Sequence, residues 1–428
     1  MVYEIGEYGH YGGFGARINP EKFLERKIKR VREFMKKYNF GSILCLTEPN
    51  IAYVTNTTAI IGALAGIGGY RYAILPIEGE SILFERCDPA FHIQKQIPYI
   101  TVKRSVPYSG GVYNSCPLEA QKYLLRAFTE QIKDSLKELK LNNEIIGIDA
   151  DVPHVVKALE SQGLNVNIDG RKIMQEARMV KLPEEQQMFR RLANVLDGCF
   201  GVIAKTARPG VPEYEVLGAA ARYALSHYVS PDGGYILSGQ HTWPKDQSRQ
   251  CTDRKLRVGD TVVIDLYNYK YFGYCSCYYR TFSIGTAAKD VKETYNEVVT
   301  MLIEAEKILK PGITTKDVVE KWKDEIELWS NKPPFIRDER DSLSTFMNNM
   351  GHGLGLMTVY DPPFFWRPIS LKYPQKLEAG MVIALETQGG TPDNRCGVRI
   401  EDMIIITDGG YEVISRWPKE EITELPLY

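Results

Sequence analysis

Asp265, Cys277, His352, Glu386 and Glu401 are the residues of this chain best suited to chemistry. Carboxylates, an imidazole and a thiol are the donors that hold a divalent ion or move a proton. Their spacing singles them out. Leu256-Arg257-Val258-Gly259-Asp260-Thr261-Val262-Val263-Ile264-Asp265 and Leu377-Glu378-Ala379-Gly380-Met381-Val382-Ile383-Ala384-Leu385-Glu386 read as copies of one pattern. Each runs turn glycine, strand formers, then an acid at the same offset from the glycine. Glu401 lies in Gly397-Val398-Arg399-Ile400-Glu401-Asp402, on the strand expected next in the second copy. Cys277 lies in Gly273-Tyr274-Cys275-Ser276-Cys277-Tyr278-Tyr279-Arg280-Thr281-Phe282, at about the same place in the first. His352 sits in Asn349-Met350-Gly351-His352-Gly353-Leu354-Gly355, where the glycines let the backbone approach a ligand and leave the imidazole free to point into a pocket. Acids with one His suit Mn, Fe, Co or Zn, or a charged substrate pocket without metal.

Around this set stand candidates with two readings each. Arg280 and Arg399 would anchor a substrate carboxylate bidentately, or form structural ion pairs with neighbouring acids. Tyr278, Tyr279, Trp243 and Trp366 would wall a pocket, Tyr278 in contact with substrate, or pack a core or dimer face. Cys277 is a ligand, a nucleophile or a small apolar filler. Cys275 and Cys277 share a strand face and make a weak redox-pair motif. Gly66-x-Gly68-Gly69 fits no nucleotide fingerprint and reads as a turn.

These residues need elements to position them. Asn19-Pro20 opens a helix in which Leu24, Ile28, Val31 and Met35 recur on one face. Strand-like runs follow at 42–46, 72–75 and 81–85, a helical stretch at 118–139, and a further strand at 144–148; the alternation indicates an α/β domain. Arg171–Pro183 reads as the junction, which divides the chain into 1–172 and 173–428. From Glu184 a long amphipathic helix carries Met188, Leu192, Val195 and Leu196 on one side. Ala207-Arg208-Pro209-Gly210-Val211 matches Leu309-Lys310-Pro311-Gly312-Ile313, each between two helices. A repeat of roughly a hundred residues is too long for a solenoid, so it marks an internally duplicated domain with a pseudo-twofold axis.

The 428 residues exceed one ordinary core. A net charge of −1 argues against nucleic acid or an anionic membrane surface as partner, and no apolar run is long enough to span a bilayer. The Tyr- and Gly-rich start lacks the layout of a secretory signal, and eight scattered cysteines suit a reducing cytoplasm.

From about residue 184 to 416 the sequence resembles the creatinase/aminopeptidase P/methionine aminopeptidase superfamily, whose fold is called pita-bread. The resemblance rests on Gly259-Asp260 through Asp265, the Gly-Tyr…Arg-Thr-Phe block, Gly351-His352-Gly353-Leu354-Gly355, Leu385-Glu386-Thr387 and Arg399-Ile400-Glu401-Asp402, in the family's order. Glu48-Pro49-Asn50-Ile51-Ala52-Tyr53 and Arg178-Met179-Val180-Lys181 extend it to the creatinase and prolidase arrangement. It implies an α/β creatinase-like N-terminal domain, a C-terminal α+β pita-bread domain and a homodimer. It also implies two metal ions held by two Asp, one His and two Glu, of which Asp265, His352, Glu386 and Glu401 are present. Cys277 stands at the place of the second Asp, and its spacing from Asp265 is longer by one residue. A thiolate there would serve a single ion with the other residues, or none would be bound. The histidines that family peptidases carry after Gly-His-Gly-Leu-Gly and further upstream are replaced here by Met357–Asp361 and Asp246, with His241 out of register. These departures resemble the creatinase branch, where a His acts as acid/base on a small C–N substrate without metal.

The expectation is a cytoplasmic hydrolase that cleaves a C–N bond in a small non-peptide substrate, with His352, Glu386 and Glu401 catalytic. Three rival expectations are an Xaa-Pro peptidase with a one-metal site, a lyase acting on a sulfonium compound, and a non-catalytic pita-bread binding module.

Overall fold

The computed structural model describes residues 18–58, 69–108, 116–243, 250–322 and 349–428. The glycine-rich 62–68 segment and Asp246 lie outside the described residues. The chain divides into two compact units, Met1–Arg178 and Met179–Tyr428. The sequence reading places the boundary at 172/173. The difference arises at the helix Gly170–Met179, which belongs with the first unit. There the Ala177 carbonyl accepts from Tyr53 and Arg178 Nη1 donates to Asn50 at 2.7 Å.

In the first unit, helix α1 (Pro20–Tyr38) starts where Asn19 accepts from the Lys22 amide and Pro20 fills the first turn. Its apolar stripe, Phe23, Leu24, Ile28, Val31 and Met35, is buried. A mixed sheet follows, in the order β4 (Thr101–Arg104), β3 (Ile82–Glu85), β2 (Tyr72–Pro76), β1 (Ser42–Cys45), β5 (Ile145–Ile148), β6 (Asn165–Asn167). Phe128, Ile132 and Leu136 of the helix Leu118–Glu138 pack on Leu44, Tyr72, Ile74 and Phe84. Asp149, at the end of β5, accepts from the Leu46 and Thr47 amides, Thr47 Oγ1 and Asn50, and so holds the start of the helix Glu48–Thr55.

The second unit carries the duplication in its backbone. The helix Pro183–Thr206 is followed by Pro209-Gly210 and the helix Glu213–Ser226; the helix Lys289–Glu306 is followed by Pro311-Gly312 and Thr315–Val319. Gly210 and Gly312 adopt φ of 89° and 99°, a conformation that favours glycine. The Gly210 amide donates to the Leu256 carbonyl at 2.8 Å, and Gly312 to Leu377 at 2.9 Å. Leu256 and Leu377 are the matched first residues of the two acid-bearing stretches, so each Pro-Gly turn clamps its own strand.

Strand β9 (Thr261–Asp265) lies between β8 (Tyr235–Ser238) and β12 (Tyr279–Ile284); β15 (Val382–Gly390) lies between β13 (Asn349–Gly353) and β16 (Gly397–Thr407). Asp265 ends its strand, whereas Glu386 lies mid-strand because β15 runs on to Gly390. Register corrects one equivalence. Asp265 faces Tyr279 across β9–β12 as Glu386 faces Glu401 across β15–β16, so the counterpart of Glu401 is Tyr279 and not Cys277. Cys277 precedes β12.

Candidate active site

Three ties draw the chemistry-bearing residues together. Thr281 of β12 donates from Oγ1 to the Arg399 carbonyl and accepts from the Arg399 amide, stitching β12 to β16. The Cys275 amide donates to the Gly355 carbonyl at 3.0 Å, which brings the segment before β12 alongside the one after His352. In β13 the pairing with β14 (Asp361–Trp366) shifts register on both sides of His352. Such a bulge re-aims a side chain. Close approach is required here: a Cβ on Gly353 would lie 2.3 Å from the Pro362 carbonyl oxygen, and one on Gly351 (φ 149°) 2.4 Å from that of Ala384.

Asp265, Cys277, His352, Glu386 and Glu401 are all buried, with Glu401 at 0% exposure. A ligand atom from each of Cys277, His352 and Glu401 lies within 4.8 Å of the others. His352 Nε2 is 3.9 Å from Glu401 Oε1, and Nδ1 is 3.1 Å from the Gly353 carbonyl. A neutral ring that donates from Nδ1 keeps its Nε2 lone pair for the site. Burial holds the His352 pKa below its ordinary value, against Glu386 and the Gly353 and Val359 carbonyls, which oppose it. Neither carboxylate oxygen of Glu401 has a hydrogen-bond partner among the described residues; the Cys277 thiol faces it without meeting that geometry. Burial, then the charges of Glu386 and Asp265, push the Glu401 carboxyl well above the usual range. Burial and the charges of Glu401, Asp265 and Glu386 raise the Cys277 thiol in the same way.

Glu386 is held differently. Its Oε2 accepts from the Tyr279 hydroxyl and, at 3.0 Å, from Arg399 Nη2, while Oε1 has no hydrogen-bond partner among the described residues. Arg399 Nη2 also donates to Tyr279 Oη at 2.9 Å, and Nη1 to Tyr235 Oη. Burial opposes the Arg399 charge, but Tyr235, Tyr279, Glu386 and Asp265 raise its pKa well above the ordinary value. Asp265 and Glu386 stay outside the three-residue ligand set.

The donor set fits a metal. Bonds of about 2.0–2.3 Å to N, O and S in a tetrahedron put ligand atoms roughly 3.3–3.8 Å apart, close to the His352–Glu401 distance. Buried carboxylate oxygens without a hydrogen-bond partner among the described residues are what a cation would satisfy.

Two expected substrate contacts are corrected. Arg280 Nη2 donates to Asp402 at 2.7 Å and to the Trp417 carbonyl at 3.0 Å, and Nη1 to the Tyr279 carbonyl, so the guanidinium is engaged by protein groups. Tyr278 Oη donates to Asp197 and accepts from the Trp417 amide. Strand alternation places both residues on the face opposite Tyr279. Of the tryptophans, Trp243 packs against Gly390, and Trp366 lies 6.0 Å from the Phe364 ring. Cys275 and Cys277 are both free thiols.

Two residues enter the site that sequence reasoning placed only loosely. Tyr279, a wall or core residue by sequence, contacts Glu386. Tyr360 lies against His352, with ring centroids 4.5 Å apart, and is half exposed. The signal for Tyr360 is its place in the stretch after Gly-His-Gly-Leu-Gly, where the resemblance implies a histidine and an aromatic ring stands.

Comparison with known proteins agrees with the fold. Residues 187–408 match Metallopeptidase family M24, and residues 27–180 match the Creatinase/Prolidase N-terminal domain. An uncharacterized peptidase of Staphylococcus epidermidis is 31% identical over 248 residues, 58% of this chain and 65% of that protein. This chain therefore spans just under two thirds of that relative's length. One from Staphylococcus aureus is 30% identical over 273 residues, 62% of this chain and 72% of that protein. Among solved structures, the Xaa-Pro dipeptidase from Bacillus anthracis superposes with a TM-score of 0.71 at 21% identity, covering 94% of this chain and 99% of that one. The prolidase from Pyrococcus horikoshii OT3 gives 0.70 at 21% identity, covering 92% and 99%. At such identity these structures show the fold: a creatinase-like N-terminal domain followed by a pita-bread domain. With the family match covering more than half of its length, the chain belongs to metallopeptidase family M24.

Proposed function

We propose that this chain is a hydrolase that cleaves a C–N bond in a small, non-peptide substrate at the buried site formed by Glu386, Glu401 and His352. The observation that carries the reading is the divided Glu386 carboxylate: Oε2 is pinned by Tyr279 and Arg399, while Oε1 has no protein partner among the described residues. A carboxylate anchored on one side and open on the other is a positioned general base. Glu386 Oε1 takes a proton from the attacking water, the water oxygen bonds to carbon, the C–N bond breaks, and the proton passes to the leaving nitrogen. His352 and Glu401, with Cys277, are the residues that would hold a divalent ion. Such an ion supplies Lewis-acid polarisation of water and substrate. Of the two roles read for His352 from the sequence, the approach of Nε2 to Glu401 favours ligand over acid/base.

The non-peptide substrate is supported by the missing second imidazole, since Tyr360 occupies that stretch, and by the thiol at Cys277. A second reading, cleavage of Xaa-Pro peptides, is favoured by the names of the relatives, which are peptidases and prolidases.

The test is turnover of small amidino, guanidino and N-alkyl amino acids alongside Xaa-Pro dipeptides, in isotopically labelled water. Expected are solvent oxygen in the product, faster turnover of a small non-peptide substrate, and abolition by His352→Ala with the fold retained. Full activity in that variant sinks the proposal. Proline dipeptides as the fastest substrates establish the second reading, and product without solvent oxygen establishes elimination. The homodimer belongs to the same proposal; a monomer mass in sedimentation equilibrium removes it.

A further inference from the structure

Tyr360 stands between the buried site and solvent. Asp265, Cys277, His352, Glu386 and Glu401 are each at most 4% exposed, whereas Tyr360 is 50% exposed with its ring centroid 4.5 Å from that of His352. Burial, and then the charges of Cys277, Glu386, Glu401 and Asp265, hold its phenol above the ordinary pKa, so all four groups lie within electrostatic reach. Its backbone amide donates to Thr358 Oγ1 at 3.1 Å, and its hydroxyl has no hydrogen-bond partner among the described residues.

The backbone presets this position. Met357 adopts a φ of 59°, in the left-handed region that a non-glycine residue seldom occupies. Its amide donates to the Gly273 carbonyl at 2.6 Å, and the Cys275 amide donates to the Gly355 carbonyl at 3.0 Å, so the turn is tied on both sides of Leu356. Asp361, next to Tyr360, is buried and meets Lys181 Nζ at 3.4 Å; a Cβ on Gly355 would collide with its carboxylate. Backbone strain that the surroundings hold in place is concentrated where a side chain must be aimed at a ligand. A hydroxyl carried on such a fixed turn, with its own donor uncommitted, is preorganised for binding.

We infer that Tyr360 is a substrate-binding residue whose hydroxyl donates a hydrogen bond to an acceptor oxygen of the substrate, a carboxylate or a carbonyl, and so selects compounds that carry one. The guanidiniums expected to anchor a substrate carboxylate, Arg280 and Arg399, are taken by Asp402 and Glu386. The phenol is a neutral donor on the solvent side of those acids. Because Tyr360 is half exposed, water satisfies the hydroxyl when the acceptor is missing, and the discrimination is about tenfold instead of the 10⁴ or more of a buried donor. This inference rests on reading the site as a hydrolytic centre, whichever C–N bond is cleaved.

The experiment compares the full chain with Tyr360→Phe, which removes the hydroxyl alone, and Tyr360→Leu, which removes the ring as well. Kinetics are measured on the fastest substrate of the small-molecule and dipeptide panel. Binding is measured by calorimetry for N-methylalanine, its primary amide and its decarboxylated amine. Tyr360→Phe should raise KM about tenfold, leave kcat within about threefold and leave Tm unchanged. The unaltered chain should bind the acid or the amide about tenfold more tightly than the amine, and Tyr360→Phe should close that gap. Preference for the acid identifies the acceptor as a carboxylate, and preference for the amide as a carbonyl. An unchanged KM in Tyr360→Phe with a raised KM in Tyr360→Leu means a ring that only packs, and overturns the inference. A lowered kcat at constant KM, or a gap that persists in Tyr360→Phe, overturns it too. Ordinary kinetics in Tyr360→Phe beside an inactive His352→Ala would remove the inference and leave the proposed function standing. No turnover of any substrate, with a calorimetric gap that Tyr360→Phe closes, does the reverse; no turnover and no gap removes both.

Discussion

At the level of single residues, the site is governed by acids that burial makes costly to ionise. The Glu401 carboxyl is held above its ordinary 4.5, so the folded metal-free protein keeps that proton better than the unfolded chain. The stability this contributes is fully present below pH 4.5 and is lost as pH rises above it. His352, held below 6.5, acts in the opposite sense: as pH falls under 6.5 the unfolded chain takes up a proton that the folded one refuses. As pH rises above 4.5, metal-free protein should therefore lose the Glu401 contribution by up to about 1.4 kcal/mol per pH unit. Glu401→Gln, which cannot ionise, should flatten that slope; parallel melting curves for the two proteins would refute the assignment. Tyr279 offers a second check. Removing a hydrogen bond to a charged group costs about 1.5–3 kcal/mol, so Tyr279→Phe should lower kcat roughly 10- to 100-fold with KM little changed. An unchanged kcat would mean that Glu386 needs no anchor.

At the level of elements, positioning depends on backbones brought closer than a side chain allows. The bulged strand β13 sets His352 between β14 and β15, with Gly353 against the Pro362 and Asp361 carbonyls. Gly353→Ala must push these strands apart. The expected cost is about 1–3 kcal/mol of stability, with loss of activity because the imidazole moves with its strand. A variant that melts and turns over like the unaltered protein would show that the contact is slack. The same logic explains the repeated Pro-Gly turns, since each glycine amide closes onto the leucine that opens the stretch leading into β9 or β15.

At the level of the whole second unit, the two halves are locked behind the site by buried charge. Asp402, one residue past Glu401, accepts from Arg280, Lys419 and Ser415, and Lys419 also reaches Glu306 at 2.7 Å. Arg280 belongs to β12, Asp402 to β16, Glu306 to the helix Lys289–Glu306, and Lys419 to the C-terminal segment. Breaking such a group strands charge in the interior. Asp402→Asn should cost about 3–5 kcal/mol and lower Tm by roughly 10 °C. A shift of less than about 2 °C would mean that solvent reaches the cluster. Among the described residues no helix is long and apolar enough to cross a membrane.

The duplication and the N-terminal α/β elements were legible in the sequence, as were Cys277, His352 and Glu401 as candidates that the fold brings together, because they rest on local patterns: strand formers after a turn glycine, helical periodicity, and glycines flanking a histidine. Even Cys277 announced itself by its type. What sequence could not supply was register and facing. One strand position decides whether Tyr278 or Tyr279 meets Glu386, and only the pairing of Tyr279 with Asp265 fixes that choice. Nor does a list of acids and arginines say which will pair. Tertiary packing sent Arg280 to Asp402 and Arg399 to Glu386, because a buried charge takes the nearest opposite charge that the crossing strands present.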